Sequence, residues 1–172
     1  MNSSFEQNQP TERHMTISIG DKIPNLTVAT TQNKELKLRE LFENDNSKNL
    51  VLYFYPKDNT PGCTTEGQDF TAAYKDFKTE NTEIIGCSRE SIRKHQNFIN
   101  KYQFAFDLIS DPEEELCKRM DVMKQKSMYG KTYIGIERST FIFDTNGRLA
   151  HEIRKVKVKG HVDEVLSLVK SL

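Results

Sequence analysis

The 172-residue chain lacks the features that would direct it to a nucleic acid, a membrane or a secretory route. Its 25 basic and 25 acidic residues cancel, and no basic stripe stands out. Its apolar runs are far shorter than the roughly 18 residues that span a bilayer. The first fifteen residues, MNSSFEQNQPTERHM, have no apolar signal-peptide core. We expect a cytoplasmic protein without nucleic-acid or membrane partners.

Cysteine is scarce, with three residues at positions 63, 87 and 117 and no C-x-x-C motif. An odd number of widely spaced cysteines excludes the disulfide framework of a small secreted protein. Dithiol–disulfide exchange is disfavoured as well, because Glu66 stands three residues after Cys63, where a second cysteine would be needed. The spacing of cysteine and histidine matches no zinc motif. We therefore expect no metal and no other cofactor.

Repeats and internal linkers are also missing, so we expect a single domain over residues 16–172, preceded by a disordered extension over residues 1–15. NLVLYFY and TEIIGCS are predicted to be buried strands. Apolar spacings of three and four from Cys63 to Phe77 indicate a helix, and SIRKHQNFINKY indicates another. This order of strand, helix, strand and helix is typical of an α/β fold.

The second half of the chain adds different elements. RSTFIFD and RLAHEIRKVKV, joined by TNG, are predicted to form a β-hairpin whose lysines guard a sheet edge. GHVDEVLSLVKSL is predicted to be the last helix, and MKQKSMYGKTYIG is predicted to be irregular. Together these elements predict an α/β fold with a mixed central β-sheet flanked by helices.

The segment Thr60-Pro61-Gly62-Cys63 has the pattern of a helix start. Thr60 is suited to the N-cap, where its hydroxyl would accept a hydrogen bond from the N–H of Cys63. Pro61 fits the first helical position, and Gly62 allows another group to approach the backbone closely. Unpaired N–H groups of the first turn favour an anion at the sulfur. The pattern therefore predicts a thiolate at a helix N-terminus.

A helix terminus alone does not ionise a thiol. A free thiol with a pKa of about 8.5 is only a few per cent thiolate at neutral pH. Lowering a pKa by two units takes about 2.7 kcal/mol, whereas a helix end supplies about 0.3–1 kcal/mol. A fixed cation is needed, and Arg138 is the best candidate. If RSTFIFD runs antiparallel to NLVLYFY, Arg138 enters at the sheet edge where Cys63 lies.

These residues resemble the peroxiredoxin family, in its bacterioferritin comigratory protein or peroxiredoxin Q subfamily. The family pattern P-x-x-x-T-x-x-C is met by Pro56, Thr60 and Cys63, within the longer string YFYPKDNTPGCTTE. The later segments GCSRESIRKHQNFINKY, DLISDP, GIERSTFIFD and VKVKGHVDEVL are also similar. The resemblance covers about residues 16–172. It implies a thioredoxin-like fold and a thiol-dependent peroxidase that reduces hydrogen peroxide and organic hydroperoxides, in antioxidant defence and cell redox homeostasis.

The resemblance also implies a role for each site residue. Cys63 would be the peroxidatic cysteine, which attacks the peroxide and becomes a sulfenic acid. Thr60 would hydrogen-bond the peroxide, Pro56 would shield the sulfur from water, and Arg138 would hold thiolate and peroxide. Glu66 would orient Arg138.

The sequence departs from the subfamily at the resolving cysteine. Gln68 occupies the position five residues after Cys63 where many members carry it, and the helix segment HQNFINKY has none either. Resolution is left to Cys87, Cys117, a second subunit or an external thiol. We expect a one-cysteine cycle in which thioredoxin, glutaredoxin or a small thiol reduces the sulfenic acid.

Two further expectations complete the sequence analysis. Zero net charge and no apolar surface stripe predict a monomer or weak homodimer. The alternative to a peroxidase is a redox sensor or holdase chaperone that uses the same cysteine.

Overall fold

The computed structural model describes residues 16–172, and the predicted disordered extension over residues 1–15 lies outside this range. The strands in this range are β1 (Thr27–Thr30), β2 (Leu36–Lys37), β3 (Asn49–Phe54), β4 (Thr82–Ser88), β5 (Asp107–Ser110), β6 (Met123–Met128), β7 (Lys131–Ile136), β8 (Ser139–Phe143) and β9 (Leu149–Ile153). Within residues 16–172, seven of them form a sheet of order β2-β1-β5-β4-β3-β8-β9, and β6 and β7 form a separate two-stranded sheet.

The pairing of the central strands decides where the site lies. Strands β3 and β4 are parallel, as are β4 and β5, whereas β8 runs antiparallel to β3. The predicted mixed sheet is confirmed. The last residue of β3, Phe54, pairs with the first residue of β8, Ser139. Residues that follow β3 and residues that precede β8 therefore meet at one edge of the sheet.

Helices cover both faces of this sheet. They are α1 (Pro61–Ala72), α2 (Tyr74–Thr79), α3 (Ile92–Tyr102), α4 (Glu115–Arg119), α5 (His161–Lys170) and a short 3-10 helix (Leu38–Phe42). The single helix predicted from Cys63 to Phe77 is wrong, because Ala73 leaves the helical region with φ −92° and ψ 2° and separates α1 from α2. No helix in the described range is both long enough and apolar enough to cross a membrane.

Alternate side chains of β3 enter two different hydrophobic clusters. Val51 and Tyr53 pack in the cluster that contains Cys63 and residues of α1, α3 and α5. Leu52 and Phe54 pack in the cluster on the other face. This alternation is the usual consequence of the two-residue period of a strand. It places the backbone of the sheet between the two clusters.

Two of the sequence expectations are wrong in the second half of the chain. The stretch predicted to be irregular forms the β6–β7 hairpin, in which Met123 pairs with Ile136 and Met128 pairs with Lys131. Most of its side chains are partly or fully exposed, so it has no apolar alternation to detect. The hairpin strand predicted to continue through RKVKV ends at Ile153. Beyond it the backbone of Lys155 is left-handed with φ 51°, so the lysines do not line a sheet edge.

Candidate active site

Cys63 is the third residue of α1 and is buried, with 2% of its surface exposed. Thr60 occupies the N-cap position in an extended conformation, and Pro61 begins the helix, as predicted. The predicted cap bond is wrong, because the Thr60 hydroxyl donates to the carbonyl oxygen of Lys57 at 2.8 Å instead. The side chain of Thr60 therefore makes no cap hydrogen bond. Its first-turn N–H groups are therefore not taken up by the Thr60 hydroxyl and can face an anion.

Arg138 connects the sulfur of Cys63 to a buried carboxyl group. Its Nη2 donates to Cys63 Sγ at 3.3 Å, and its Nη1 donates to Glu66 Oε1 at 2.7 Å. Arg138 directly precedes β8, so the antiparallel pairing with β3 delivers its guanidinium to the edge where α1 begins. The contact joins residues 75 positions apart in sequence. The structure thus brings together Cys63, Arg138 and Glu66.

Gly62 makes room for this guanidinium. A Cβ atom at Gly62 would lie 3.2 Å from Nη2 of Arg138, tighter than ordinary van der Waals contact. The group predicted to approach the backbone at Gly62 is therefore Arg138. Its two bonds, to Cys63 and Glu66, leave it little freedom to move away.

Glu66 is fully buried, and only one of its two carboxyl oxygens is hydrogen-bonded within residues 16–172. Its Oε1 accepts from Arg138, whereas its Oε2 has no hydrogen-bond partner within residues 16–172. Burial raises the pKa of Glu66 from 4.5 to about 7, and the positive charge of Arg138 opposes this rise. Arg138 therefore links the sulfur of Cys63 to a carboxyl group whose pKa is near neutrality.

The site contains a hydrogen-bond network that the sequence analysis did not predict. Asp58 Oδ1 accepts from the hydroxyl of Tyr55 at 2.6 Å, and Asp58 Oδ2 lies 2.6 Å from Nδ1 of His95. Nε2 of His95 faces the carbonyl oxygen of Ile109 at 2.9 Å, so this nitrogen carries a hydrogen. One further proton is shared between His95 Nδ1 and Asp58 Oδ2. The network is buried, and it fixes the loop between β3 and α1.

A second contact holds the same loop to α3. Asn59 has a left-handed backbone with φ 58°, and its Oδ1 accepts from Tyr102 at 2.8 Å and from Lys101 at 3.2 Å. His95, Lys101 and Tyr102 all belong to α3. This helix therefore holds the loop that carries Pro56 and Thr60. In the sequence, the apolar spacing of this helix indicates only that His95 is packed and gives no sign that it bonds to a carboxyl group.

Comparisons with known proteins fit this geometry. The AhpC/TSA family model matches residues 19–152. Peroxiredoxin Bcp of Bacillus subtilis is 46% identical over 158 residues, which cover 92% of this chain and 98% of that protein. Peroxiredoxin Bcp of Xanthomonas campestris pv. campestris is 53% identical over 122 residues, 71% of this chain and 76% of that protein.

Solved structures show the same relationship. The bacterioferritin comigratory protein of Xanthomonas campestris superposes with a TM-score of 0.81 and 43% identity, over 90% of this chain and 98% of that one. A PrxQ variant of Xylella fastidiosa gives a TM-score of 0.83 and 40% identity, over 91% and 98%.

The chain belongs to the peroxiredoxin family. The resemblance stated from the sequence is confirmed, and so is the thioredoxin-like fold. Peroxiredoxins are thiol-dependent peroxidases, and this chain is an oxidoreductase of that class.

The other two cysteines of this peroxiredoxin lie on the far side of the sheet from Cys63. Cys63 packs in the cluster with Tyr53 and Phe70, whereas Cys87 and Cys117 pack in the opposite cluster. Both thiols are fully buried. A disulfide between Cys63 and either of them would require the sheet or its helices to rearrange. Gln68, which stands where the resemblance implies a resolving cysteine in many members, is exposed on α1.

Cys87, Cys117 and Asp111 form a compact group whose ligand atoms lie within 4.8 Å of one another. Asp111 already accepts the backbone N–H groups of Leu116 at 3.2 Å and Cys117 at 2.8 Å, so it caps α4. Burial raises the pKa of Cys87 well above its ordinary value, which keeps this thiol protonated. A metal would need deprotonated thiols and free carboxylate oxygens as ligands. Here the Cys87 thiol stays protonated, and both oxygens of Asp111 already accept backbone N–H groups.

The raised pKa of Glu66 predicts a pH-dependent stability. Between pH 4.5 and about 7 the folded protein keeps a proton that the unfolded chain releases, so the free energy of unfolding falls as the pH rises through this window. The loss is about 3 kcal/mol at 1.36 kcal/mol per unit. In Glu66→Gln the amide oxygen still accepts from Arg138, and this decline disappears. Urea denaturation of both proteins at pH 5 and pH 8 measures the difference.

The wild type has to be compared with Glu66→Gln because other groups that titrate in this range also change the free energy of unfolding. Burial lowers the pKa of His161 to about 4, so this group makes the protein more stable as the pH rises from about 4 to 6.5. His161 is present in both proteins and cancels in the difference. Parallel pH–stability curves for wild type and Glu66→Gln would show that Glu66 is ionised throughout and that the prediction is wrong.

Proposed function

We propose that this peroxiredoxin reduces hydrogen peroxide and organic hydroperoxides through Cys63, with electrons from an external thiol, in antioxidant defence and cell redox homeostasis. The observation that carries the proposal is the 3.3 Å contact between Arg138 Nη2 and Cys63 Sγ at the N-terminus of α1. A solved relative from Xanthomonas campestris is described by its alkyl peroxide reduction activity, which supports organic hydroperoxides as substrates.

The chemical step is a displacement at oxygen. The thiolate of Cys63 attacks one oxygen of the peroxide, an S–O bond forms, and the O–O bond breaks with its electron pair on the second oxygen. That oxygen leaves as hydroxide or alkoxide and takes up a proton, and the protein is left with a Cys63 sulfenic acid. Negative charge spreads over sulfur and both oxygens in the transition state. The Arg138 guanidinium and the first-turn N–H groups of α1 stabilise that charge.

Thr60 and Pro56 complete the proposed site. Because the Thr60 hydroxyl donates its hydrogen to Lys57, its oxygen is available to accept the hydrogen of a hydroperoxide. This would orient the substrate O–O bond along the line of attack. Pro56 lies two residues after the end of β3, and its proposed role is to shield the sulfur from water without adding an N–H donor.

The sulfenic acid is then reduced by a thiol from outside the chain. A reductant thiol attacks the Cys63 sulfur, water leaves, and a mixed disulfide forms. A second thiol attacks the mixed disulfide, releases Cys63 as thiolate and leaves the reductant oxidised. The placement of Cys87 and Cys117 across the sheet supports this one-cysteine cycle. Thioredoxin, glutaredoxin and small thiols are the candidate reductants, and a monomer or weak homodimer acting in the cytoplasm remains our prediction.

Mass spectrometry of peroxide-treated protein tests the cycle. One equivalent of hydrogen peroxide is expected to add one oxygen, trapped at Cys63 by a sulfenic-acid reagent, and to leave Cys87 and Cys117 as free thiols. The reason is that these two thiols are buried on the opposite face of the sheet. Adding thioredoxin with its reductase, glutaredoxin with glutathione, or dithiothreitol is then expected to restore the unmodified mass.

Two results would contradict the proposal. An intramolecular disulfide from Cys63 to Cys87 or Cys117 would replace the one-cysteine cycle by a two-cysteine cycle. Stoichiometric consumption of peroxide that none of the thiols renews would favour a redox sensor or holdase chaperone over a peroxidase.

A further inference from the structure

The β6–β7 hairpin exposes apolar side chains in an otherwise well-covered molecule. Of the six large hydrophobic residues exposed within residues 16–172, four lie on this hairpin. They are Tyr129 (97% exposed), Ile134 (57%), Met128 (55%) and Tyr133 (43%). Lys126 pairs with Tyr133 and Met128 pairs with Lys131, so Met128 and Tyr133 share one face of the hairpin, whereas Ile134 lies on the other face. Neighbouring exposed apolar side chains such as Met128 and Tyr133 mark interaction sites on soluble proteins. Tyrosine and methionine are also enriched where proteins bind proteins.

The hairpin is anchored firmly at its base. Val122 and Ile136 are fully buried there, and the N–H of Glu137 donates to the carbonyl oxygen of Val122 at 2.7 Å. Arg154 also donates to the carbonyl oxygens of Met120 at 3.0 Å and Asp121 at 2.7 Å. A fixed base limits how far the hairpin can swing as a whole, which lowers the entropy cost of binding a partner.

The base of the hairpin adjoins the peroxide site. Arg138, which contacts the sulfur of Cys63, stands two residues after the end of β7. At about 3.3 Å per residue, Ile134 lies about 13 Å along the chain from Arg138, and Tyr129 lies about 30 Å away at most. An interface of about 800 Å² on one partner is roughly 30 Å across. One docked protein can therefore cover the hairpin and reach Cys63.

All charged side chains of the hairpin are positive. Between residues 122 and 136 there are three lysines, at positions 124, 126 and 131, and no carboxylate, although the whole chain is neutral. Lys124 pairs with Asp121 at the base, at 2.9 Å. Burial, and then the positive charge of Arg138, lower the pKa of Lys126. A partner with an acidic rim and an apolar centre fits this surface.

We propose that the β6–β7 hairpin is the docking surface for the protein dithiol that reduces Cys63. The inference rests on the proposed one-cysteine cycle. Cys63 is almost completely buried, so the reducing sulfur has to be delivered at the sheet edge beside the hairpin. The partner's first thiol attacks the Cys63 sulfenic acid and water leaves. Its second thiol attacks the resulting mixed disulfide, Cys63 leaves as thiolate, and the partner departs as a disulfide.

Other occupants fit less well. A second copy docked through the same surface would set the lysines of one hairpin against those of the other. A lipid bilayer would take up the tip at Met128 and Tyr129, and this would hold Cys63 up to about 30 Å from the inserted chains.

The hairpin also offers backbone groups to a protein partner. The outer edges of β6 and β7 are unpaired within residues 16–172, so a strand of the partner can pair with them.

Steady-state kinetics with different reductants test the docking surface. Tyr133→Ser, on the face that carries the lysines, and Tyr129→Ser, at the tip, are compared with Ile19→Ser, which changes an exposed hydrophobic residue (58%) away from the hairpin. Reductants are thioredoxin with its reductase, glutaredoxin with glutathione, and dithiothreitol. We expect the two hairpin variants to raise the KM for the preferred protein reductant about ten-fold, in the range of interface hot spots. Ile19→Ser and all rates with dithiothreitol should match wild type.

A charge variant adds an independent measurement. Lys131→Glu is expected to raise the same KM and to weaken its dependence on salt, again without effect on dithiothreitol. Suppose that the wild-type protein turns over with dithiothreitol, and that the hairpin variants have the same kinetics as wild type with both protein reductants. This result would overturn the docking surface but not the proposed function. Absence of turnover with every thiol would overturn the proposed function itself.

Two further outcomes would also overturn the inference. The first is a wild-type dimer, seen by light scattering, that Tyr133→Ser dissociates without changing reductant kinetics. The second is binding to vesicles of anionic phospholipid that Tyr129→Ser abolishes without changing those kinetics. Each would assign the hairpin to a different occupant.

Discussion

Cys63→Ser is expected to have no peroxidase turnover with hydrogen peroxide, with organic hydroperoxides, or with any thiol reductant. A serine hydroxyl stays protonated at neutral pH even beside a guanidinium, and it cannot form the sulfenic acid on which the cycle depends. Oxygen is slightly smaller than sulfur, so the variant should keep the fold and the Arg138–Glu66 contact. Peroxide consumption at neutral pH, with thioredoxin and with dithiothreitol, measures the effect.

The matched controls for this variant are Cys87→Ala and Cys117→Ala. Both residues are fully buried in the opposite cluster, so alanine is preferred to serine because it adds no polar group to the core. We expect these controls to keep most of the peroxidase rate, with some loss of stability from the small cavity. If Cys63→Ser keeps turnover while either control loses it, the peroxidatic sulfur is not Cys63.

Arg138→Met is expected to slow the oxidation of Cys63 by peroxide about 10²- to 10³-fold. Methionine keeps much of the side-chain volume but removes the cation 3.3 Å from the sulfur. Loss of one preorganised donor to developing negative charge typically costs about 2.7–4 kcal/mol in the transition state. Stopped-flow measurement of the oxidation of Cys63 by peroxide gives the rate.

Two companion variants separate charge from geometry. Arg138→Lys keeps the charge but loses the planar fork that reaches Glu66 and Cys63 together, so an intermediate rate is expected. Arg138→Met with Glu66→Gln removes the buried carboxyl group that Arg138→Met leaves without a partner. If the double variant recovers the wild-type rate, or if Arg138→Met lies within about three-fold of wild type, the guanidinium does not stabilise the reacting sulfur.

The start of α1 at the site could be predicted because it depends on residues that are adjacent in sequence. Thr60, Pro61 and Gly62 indicate where α1 begins, and the strand period of NLVLYFY indicates what precedes it. Even here one detail failed. The Thr60 hydroxyl turns back to Lys57 rather than to Cys63, because a tight three-residue loop offers it a carbonyl acceptor. Sequence patterns place the helix start reliably, but they do not choose between competing acceptors.

The Arg138 contact was predicted across 75 residues because topology restricts it. A right-handed crossover makes β3 and β4 parallel, so an antiparallel β8 has to begin where α1 begins. No such rule connects Asp58 to His95, which are 37 positions apart and lie in a loop and a helix. Likewise, the sequence did not show that Cys87 and Cys117 meet on the face of the sheet opposite to Cys63.

By itself, the sequence determined the family, the order of strands and helices, the cysteine at the head of α1 and the arginine that would face it. Only the tertiary structure decided which buried polar groups share protons, which cysteines are separated by the sheet, and that a polar stretch folds into an exposed hairpin. The physical reason is the range of the forces involved. Helix starts and strand periods depend on neighbouring residues, whereas hydrogen bonds and burial depend on whichever distant groups the packed chain brings together.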